Sequence, residues 1–241
     1  MASDAALSLS RRLLALAGSQ VTVHHQKRIP TTEALVVVSN HRSLLDVPLL
    51  ISAIDRPVRF ACHHFMGQVP GFKQAVNALG CFPLDPPGHR PQSFFQQAIR
   101  LLQTGQPVGI FPEGANPMIQ PILPYQVGHF HRGFAHLALQ APLQNVAILP
   151  IAIVATQETT MPVAPFKLFH WLAPSEPLFN RPGWHPAVYY RQVHLMIGHP
   201  LWITDSQREQ YQGNQAGTIA RTLTQTCHTK ISELLQEGVI L

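Results

Sequence analysis

Charge is scarce in this sequence. Only 12% of its 241 residues are Asp, Glu, Lys or Arg, and 17 Lys plus Arg against 12 Asp plus Glu leave a formal charge of +5. The cations are scattered singly or in pairs, without the basic run that marks a nucleic-acid footprint, so no nucleic-acid partner is expected. Anionic headgroups, phosphates or an acidic carrier fit the same balance. Cysteine is scarce too: Cys62, Cys81 and Cys227 are far apart and free of Cys-x-x-Cys spacing, which argues against a disulfide framework and a thiolate zinc site. Long apolar runs are absent, as is a signal-peptide layout, so membrane contact is expected to be peripheral and the compartment reducing. The fourteen histidines, among them His24-His25, His63-His64 and the His129/His131/His136 group, match no metal-ligand spacing, and no metal site is expected.

What is present is an alternation of strands and helices. The run from Ala34 to Ser39 is β-branched and unbroken, as in a strand buried on both faces. Further strands are expected over 58–62, 107–111, 145–155 and 188–197, with an apolar stretch at 80–84. Helices are expected over 44–54, 71–79, 94–102 and 128–139. This order predicts a single α/β domain with a mainly parallel, twisted sheet covered by helices. Residues 1–20 read as an N-terminal amphipathic helix with Leu9, Leu13, Leu16 and Ala17 on one face, able to lie on a bilayer or on its own domain. Residues 21–204 form the main domain, and 205–241 a helical tail packed on it. From Met161 to Trp184 prolines and aromatics crowd among few charges. That stretch predicts an irregular loop over the core, with a lid or an aromatic membrane contact as the alternative.

Two strand ends carry chemistry. The first leads into Asn40-His41-Arg42-Ser43-Leu44-Leu45-Asp46. Ligands of open α/β sheets collect at the carboxyl ends of strands. A neutral imidazole there can take a proton from a hydroxyl, and a carboxylate on its other nitrogen fixes the tautomer. Five residues of regular helix would set His41 and Asp46 about 140° apart, so contact requires His41 in the turn before the helix. Ser43 as N-cap and Pro48 near the helix start allow this, although Ser43-x-x-Asp46 is also a plain capping box. The second strand end is Phe111-Pro112-Glu113-Gly114, which predicts Glu113 on the same sheet edge, with Gly114 permitting close backbone approach.

Asn40-His41 with Asp46, and Phe111-Pro112-Glu113-Gly114 about 70 residues later, resemble the motifs of the glycerolipid acyltransferase superfamily, the lysophosphatidate acyltransferase-like proteins. Leu79-Gly80-Cys81-Phe82-Pro83-Leu84-Asp85 is similar to that family's second motif and Ile148-Leu149-Pro150-Ile151-Ala152 to its fourth. The resemblance runs from about residue 21 to 204. It implies that His41 is a general base oriented by Asp46, and that Asn40, Glu113, Gly114, Gly80, Asp85, Arg90 and Arg132 serve the substrate. It implies an acyl thioester donor, acyl-CoA or an acyl carrier protein, with no bound cofactor. A glycerol-phosphate or lysophospholipid hydroxyl would be the acceptor, and membrane lipids the partners, at the inner face of a membrane on the cytoplasmic side. Pro86 stands where relatives usually carry an Arg, and Ala115-Asn116 follow the third motif. A transacylase that remodels phospholipids and a catalytically silent lipid-binding protein are the alternative readings.

Overall fold

A computed structural model describes residues 2–31, 34–63, 66, 72–84, 92–120, 122–172, 174 and 176–241. Helix α1 (Ala2–Leu16) and strand β1 (Gln20–His24) precede the central strand β2 (Leu35–Ser39), which leads to α2 (Asp46–Ile54). Then come β3 (Arg59–Cys62), α3 (Phe72–Ala78), β4 (Phe82–Pro83), α4 (Gln92–Gln103), β5 (Val108–Ile110), α5 (Asn116–Ile119) and α6 (Gly133–Gln140). The second half holds β6 (Ala147–Pro165), α7 (Phe166–Leu172), β7 (Trp184–Ile197), β8 (Leu201–Trp202), α8 (Asp205–Gln212) and α9 (Ala216–Ile240). The strands form one eight-stranded sheet in the order β1-β7-β6-β2-β5-β3-β4, with β8 beside β6. All pairings are parallel except those of β6 with β7 and with β8.

The unbroken apolar character of β2 follows from its central position. Side chains alternate across a strand. Val36 and Val38 point into a core with α4, α6 and α9, whereas Leu35 and Val37 point into a second core with α1 and α2. Every β2 residue is therefore fully buried, which excludes the polar alternation of a half-exposed strand.

Three expectations need correction, and one helix was not expected. The inward stripe of α1 is Ala6, Ser10 and Leu14 rather than the leucine face read from sequence, and Leu16 and Ala17 are exposed. Arg11 pairs with Asp55 at 2.7 Å, so this helix is docked on α2 and on its own domain. Residues 128–132 are not helical. The Gly128 N–H is bound by the Glu113 carboxylate and the His131 N–H by the Pro112 carbonyl, contacts that tie this segment to the Phe-Pro-Glu-Gly turn, and α6 begins only at Gly133. Helix α5 was not anticipated, because its four residues carry no periodic signal. The stretch expected to be irregular is instead a long antiparallel arm: β6 runs on to Pro165 and pairs with β7 from Trp184. Prolines are tolerated there because Pro162 and Pro186 lie opposite each other at a register shift, where the ladder is already broken. Among the described residues no helix is long and apolar enough to cross a membrane.

Candidate active site

Strands β2 and β5 run parallel in direct pairing, with Val38 opposite Ile110. Three residues beyond each lie His41 and Glu113, so the sheet itself delivers both to one carboxyl edge. The His41 N–H donates to Glu113 Oε1 at 3.0 Å, and the Gly128 N–H donates to Oε2 at 2.5 Å. Glu113 is 3% exposed. Burial raises its pKa against the lowering effect of those two N–H groups. Its carboxylate thus clamps the turn that presents His41. A Cβ on residue 128 would lie 3.1 Å from Glu113 Oε2 and press on that carboxylate.

His41 occupies the turn before α2, as contact with Asp46 requires. Its Nδ1 lies 2.9 Å from Asp46 Oδ2. The same oxygen accepts the Arg42 and Ser43 N–H groups at 2.7 and 2.9 Å, and Oδ1 accepts the Tyr190 hydroxyl at 2.9 Å. Asp46 is fully buried while the His41 side chain keeps 15% of its surface, so the ring alone of the pair meets solvent. Phe111 stacks on the imidazole with centroids 4.0 Å apart and planes 12° off parallel. Ring orientation is fixed from both sides. Ser43 does not act as a simple N-cap: its hydroxyl donates to the Val188 carbonyl at 2.6 Å and accepts the Leu45 N–H at 3.2 Å. Asp46 reaches back to the Ser43 N–H, so the capping pattern and the dyad share one carboxylate.

The remaining residues singled out by sequence fall in different places. Gly114 adopts φ +66° and a Cβ there would meet nothing within 4 Å, so it faces open space beside the dyad. Asn40 turns inward at 1% exposure. Its amide donates to the Ile153 carbonyl and accepts the Ile153 N–H at 3.0 and 2.8 Å, which splices the end of β2 to β6. Gly80 lies after α3 at φ +72°, where a side chain would collide with the Arg59 guanidinium, and its carbonyl accepts from Arg59 Nη1 at 3.4 Å. Arg132 is exposed at the head of α6, one residue past His131. Asp85 and Arg90 lie outside the described residues. Sequence reading missed Tyr190, Arg42 and Glu158. Arg42 makes a two-point ion pair with Glu158 at 2.6 and 2.7 Å, and nothing local in the sequence links residues 42 and 46 to 158 and 190.

A shallow depression lined by Pro30, Thr31, Asn145 and Trp202 lies at the opposite edge, where β2 and β6 begin, and takes no part in this site. Among the described residues no three His, Cys, Asp or Glu side chains are grouped to hold a metal ion.

Fold and site together define an α/β protein with a carboxylate-held imidazole facing outward at the carboxyl edge of its sheet. The Acyltransferase family model matches residues 20–154, more than half of the chain, and the chain belongs to that family. It is 26% identical over 139 residues to the chloroplastic 1-acyl-sn-glycerol-3-phosphate acyltransferase LPAT1 of Arabidopsis thaliana, covering 57% of this chain and 36% of that protein. It is 27% identical over 149 residues to a probable 1-acyl-sn-glycerol-3-phosphate acyltransferase of Mycoplasma pneumoniae, covering 59% and 52%. The chain thus spans about a third to a half of these relatives. The fold is that of the 1-acyl-sn-glycerophosphate acyltransferase PlsC of Thermotoga maritima, with a TM-score of 0.61 at 20% identity, covering 96% of this chain and 77% of that one.

Proposed function

We propose that this chain is an O-acyltransferase that moves a fatty acyl group from acyl-CoA or an acyl carrier protein to a glycerol-phosphate or lysophospholipid hydroxyl. It would work as a peripheral protein on the cytoplasmic face of a membrane. The observation that carries the reading is the 2.9 Å contact of His41 Nδ1 with a buried Asp46, which leaves Nε2 for the substrate. Family membership and the names of the relatives support the choice of reaction.

In this mechanism His41 Nε2 takes the acceptor's hydroxyl proton as the oxygen attacks the thioester carbonyl, and Asp46 stabilises the imidazolium that forms. The tetrahedral intermediate collapses with cleavage of the carbon–sulfur bond. The departing thiolate then recovers the proton from the imidazolium, which leaves an ester and a free thiol. Glu113 holds the His41 backbone, and the open space at Gly114 admits the acceptor. Arg132, exposed next to the His131–Pro112 link, is the described cation assigned here to the acceptor phosphate.

Labelled acyl-CoA and acyl carrier protein, supplied with a panel of glycerol-phosphate and lysophospholipid acceptors, test the reading. Wild-type transfer should fall by roughly 10²- to 10⁴-fold in His41→Ala. Transfer that survives this substitution overturns the mechanism. Lipid binding without turnover in either protein supports a silent binder, and transfer from intact phospholipid alone supports a transacylase.

A further inference from the structure

Past Ala155 the β6 strand of the β6–β7 arm is largely exposed, while Val188 and Tyr190 of β7 stay buried at its root, and the arm ends in a helix with apolar side chains on two faces. Phe166 and Phe169 of α7 turn inward. Phe166 is 4% exposed in a small cluster with Ile119 and Phe179, and the Phe169 ring stacks on Phe179 at 5.3 Å. On the opposite face Leu168, Trp171 and Leu172 follow the same helical spacing, yet are 48%, 75% and 45% exposed. Apolar side chains on a second, outward face of a helix call for a covering partner or lipid. At the same end of the arm Met161, Val163 and Trp184 are also exposed. The other amphipathic candidate, α1, already spends its inward face on α2.

Charge identifies what covers this tip. Beyond the root, between residues 159 and 189, the charged side chains are Lys167, Glu176 and Arg181. The single acid is 3% exposed and caps the Leu178 N–H, so the tip presents cations to its surroundings. A two-fold contact with a second copy would set these cations near their own images with no acid to pair them. Tryptophan with leucine, skirted by Lys and Arg, is the composition that settles at the boundary between anionic headgroups and acyl chains.

We infer that the tip of the β6–β7 arm, centred on α7, is the surface that docks the protein on an anionic lipid bilayer. This deepens the proposed reading, in which acceptor and product are membrane lipids. The root of the same arm holds the candidate site: Glu158 grips Arg42, the Val188 carbonyl receives Ser43, and Tyr190 reaches Asp46. Trp184 lies six residues from Tyr190 on one strand, so ~20 Å of paired backbone joins the docking tip to the dyad.

Co-sedimentation with vesicles tests this without any acyl donor, so its outcome is separate from that of the acyl-transfer assay. Wild-type protein should bind vesicles containing phosphatidylglycerol more tightly than pure phosphatidylcholine. Trp171→Glu/Leu172→Glu should lower that partition by about tenfold or more at an unchanged melting temperature, whereas Trp202→Glu should not. In Trp184→Phe/Trp202→Phe the one remaining tryptophan, Trp171, should be quenched by chain-brominated lipid, a readout that needs no disruptive charge. Absence of wild-type binding, wild-type partition of the double glutamate variant, or an unquenched Trp171 overturns the proposal. So does a wild-type dimer that this variant converts to a monomer with vesicle binding intact.

Discussion

Tyr190 donates its hydroxyl to Asp46 Oδ1 at 2.9 Å across 144 residues of sequence. Burial first, then the adjacent Asp46 charge, pushes the phenol well above its usual pKa, so it remains a donor throughout the working pH range. A donor on the far oxygen draws negative charge away from the oxygen that faces His41. Tyr190→Phe removes that donor and loosens the carboxylate that orients the His41 ring, so kcat should fall about tenfold, the equivalent of ~1.4 kcal/mol, with KM little changed. A variant that loses stability but keeps the wild-type kcat would reduce Tyr190 to packing.

Arg42 and Glu158 make a second link between arm and site, and here the expected effect is on stability. Arg42 is 4% exposed and takes both carboxylate oxygens of Glu158. Removing the acid alone leaves a buried cation without its partner, which costs more than the pair itself contributes. Glu158→Ala should destabilise the fold by about 3 kcal/mol, a fall in melting temperature of roughly 6–12 °C for a domain of this size. Arg42→Met/Glu158→Leu should recover most of that loss. A single variant that melts with the wild type would show the pair to be solvated in solution.

The parts of this molecule that local sequence governs were legible, and those built by long-range pairing were not. β2 declared itself through an unbroken apolar run because both of its faces are covered. His41 and Glu113 could be set on one edge because each follows a buried strand, and pairing of β2 with β5 gives them matching offsets. The family resemblance implies a part for Glu113 in serving the substrate; in the structure its two oxygens meet backbone N–H groups from residues 41 and 128. That clamp depends on a loop whose composition looked helical. The arm was hidden for a related reason: Pro162, Pro165 and Pro186 are strand breakers by propensity, and they are accommodated by the register shift after Pro162 and by the strand end at Pro165. Tyr190 could not be found from sequence because its partner lies on another element.

At the far edge of the sheet His24 Nε2 lies 2.8 Å from His194 Nδ1, joining β1 to β7 with near-parallel rings. Two imidazoles at that distance can share one N–H until both rings are protonated, and protonating either brings positive charge into a partly buried pair. Burial, followed by the proximity of His194, lowers the His24 pKa below 6.5. The unfolded chain therefore binds more protons than the folded one in the window from 6.5 down to that lowered value. Stability should fall as pH drops through this window and recover above 6.5. Thermal melts from pH 5 to 8 should show this slope in wild type and a shallower one in His24→Gln. Equal slopes would assign the acid sensitivity elsewhere.

Cys62 closes β3, which runs parallel beside β5 and ends on the edge that carries His41 and Glu113. A thiol in that position raises the possibility of an acyl-enzyme, in which the fatty acyl group passes through a cysteine thioester. Burial argues against it, since the attacking species is the thiolate. Desolvation raises Cys62 to about 11 and Cys81 to about 12, and pushes Cys227 up as well. At pH 7.5 roughly one Cys62 in a few thousand would be ionised. A thiol held so far from ionisation favours the proposed direct attack by the acceptor over attack by sulfur. Iodoacetamide at pH 7.5 should leave acyl transfer intact, and Cys62→Ser should retain activity within about twofold, because the substitution removes neither the base nor its carboxylate. Incubation with labelled donor alone should leave no hydroxylamine-labile acyl group on the protein. A labile label that disappears in Cys62→Ser would require a two-step reaction and remove His41 from its place as base for the acceptor in the first step.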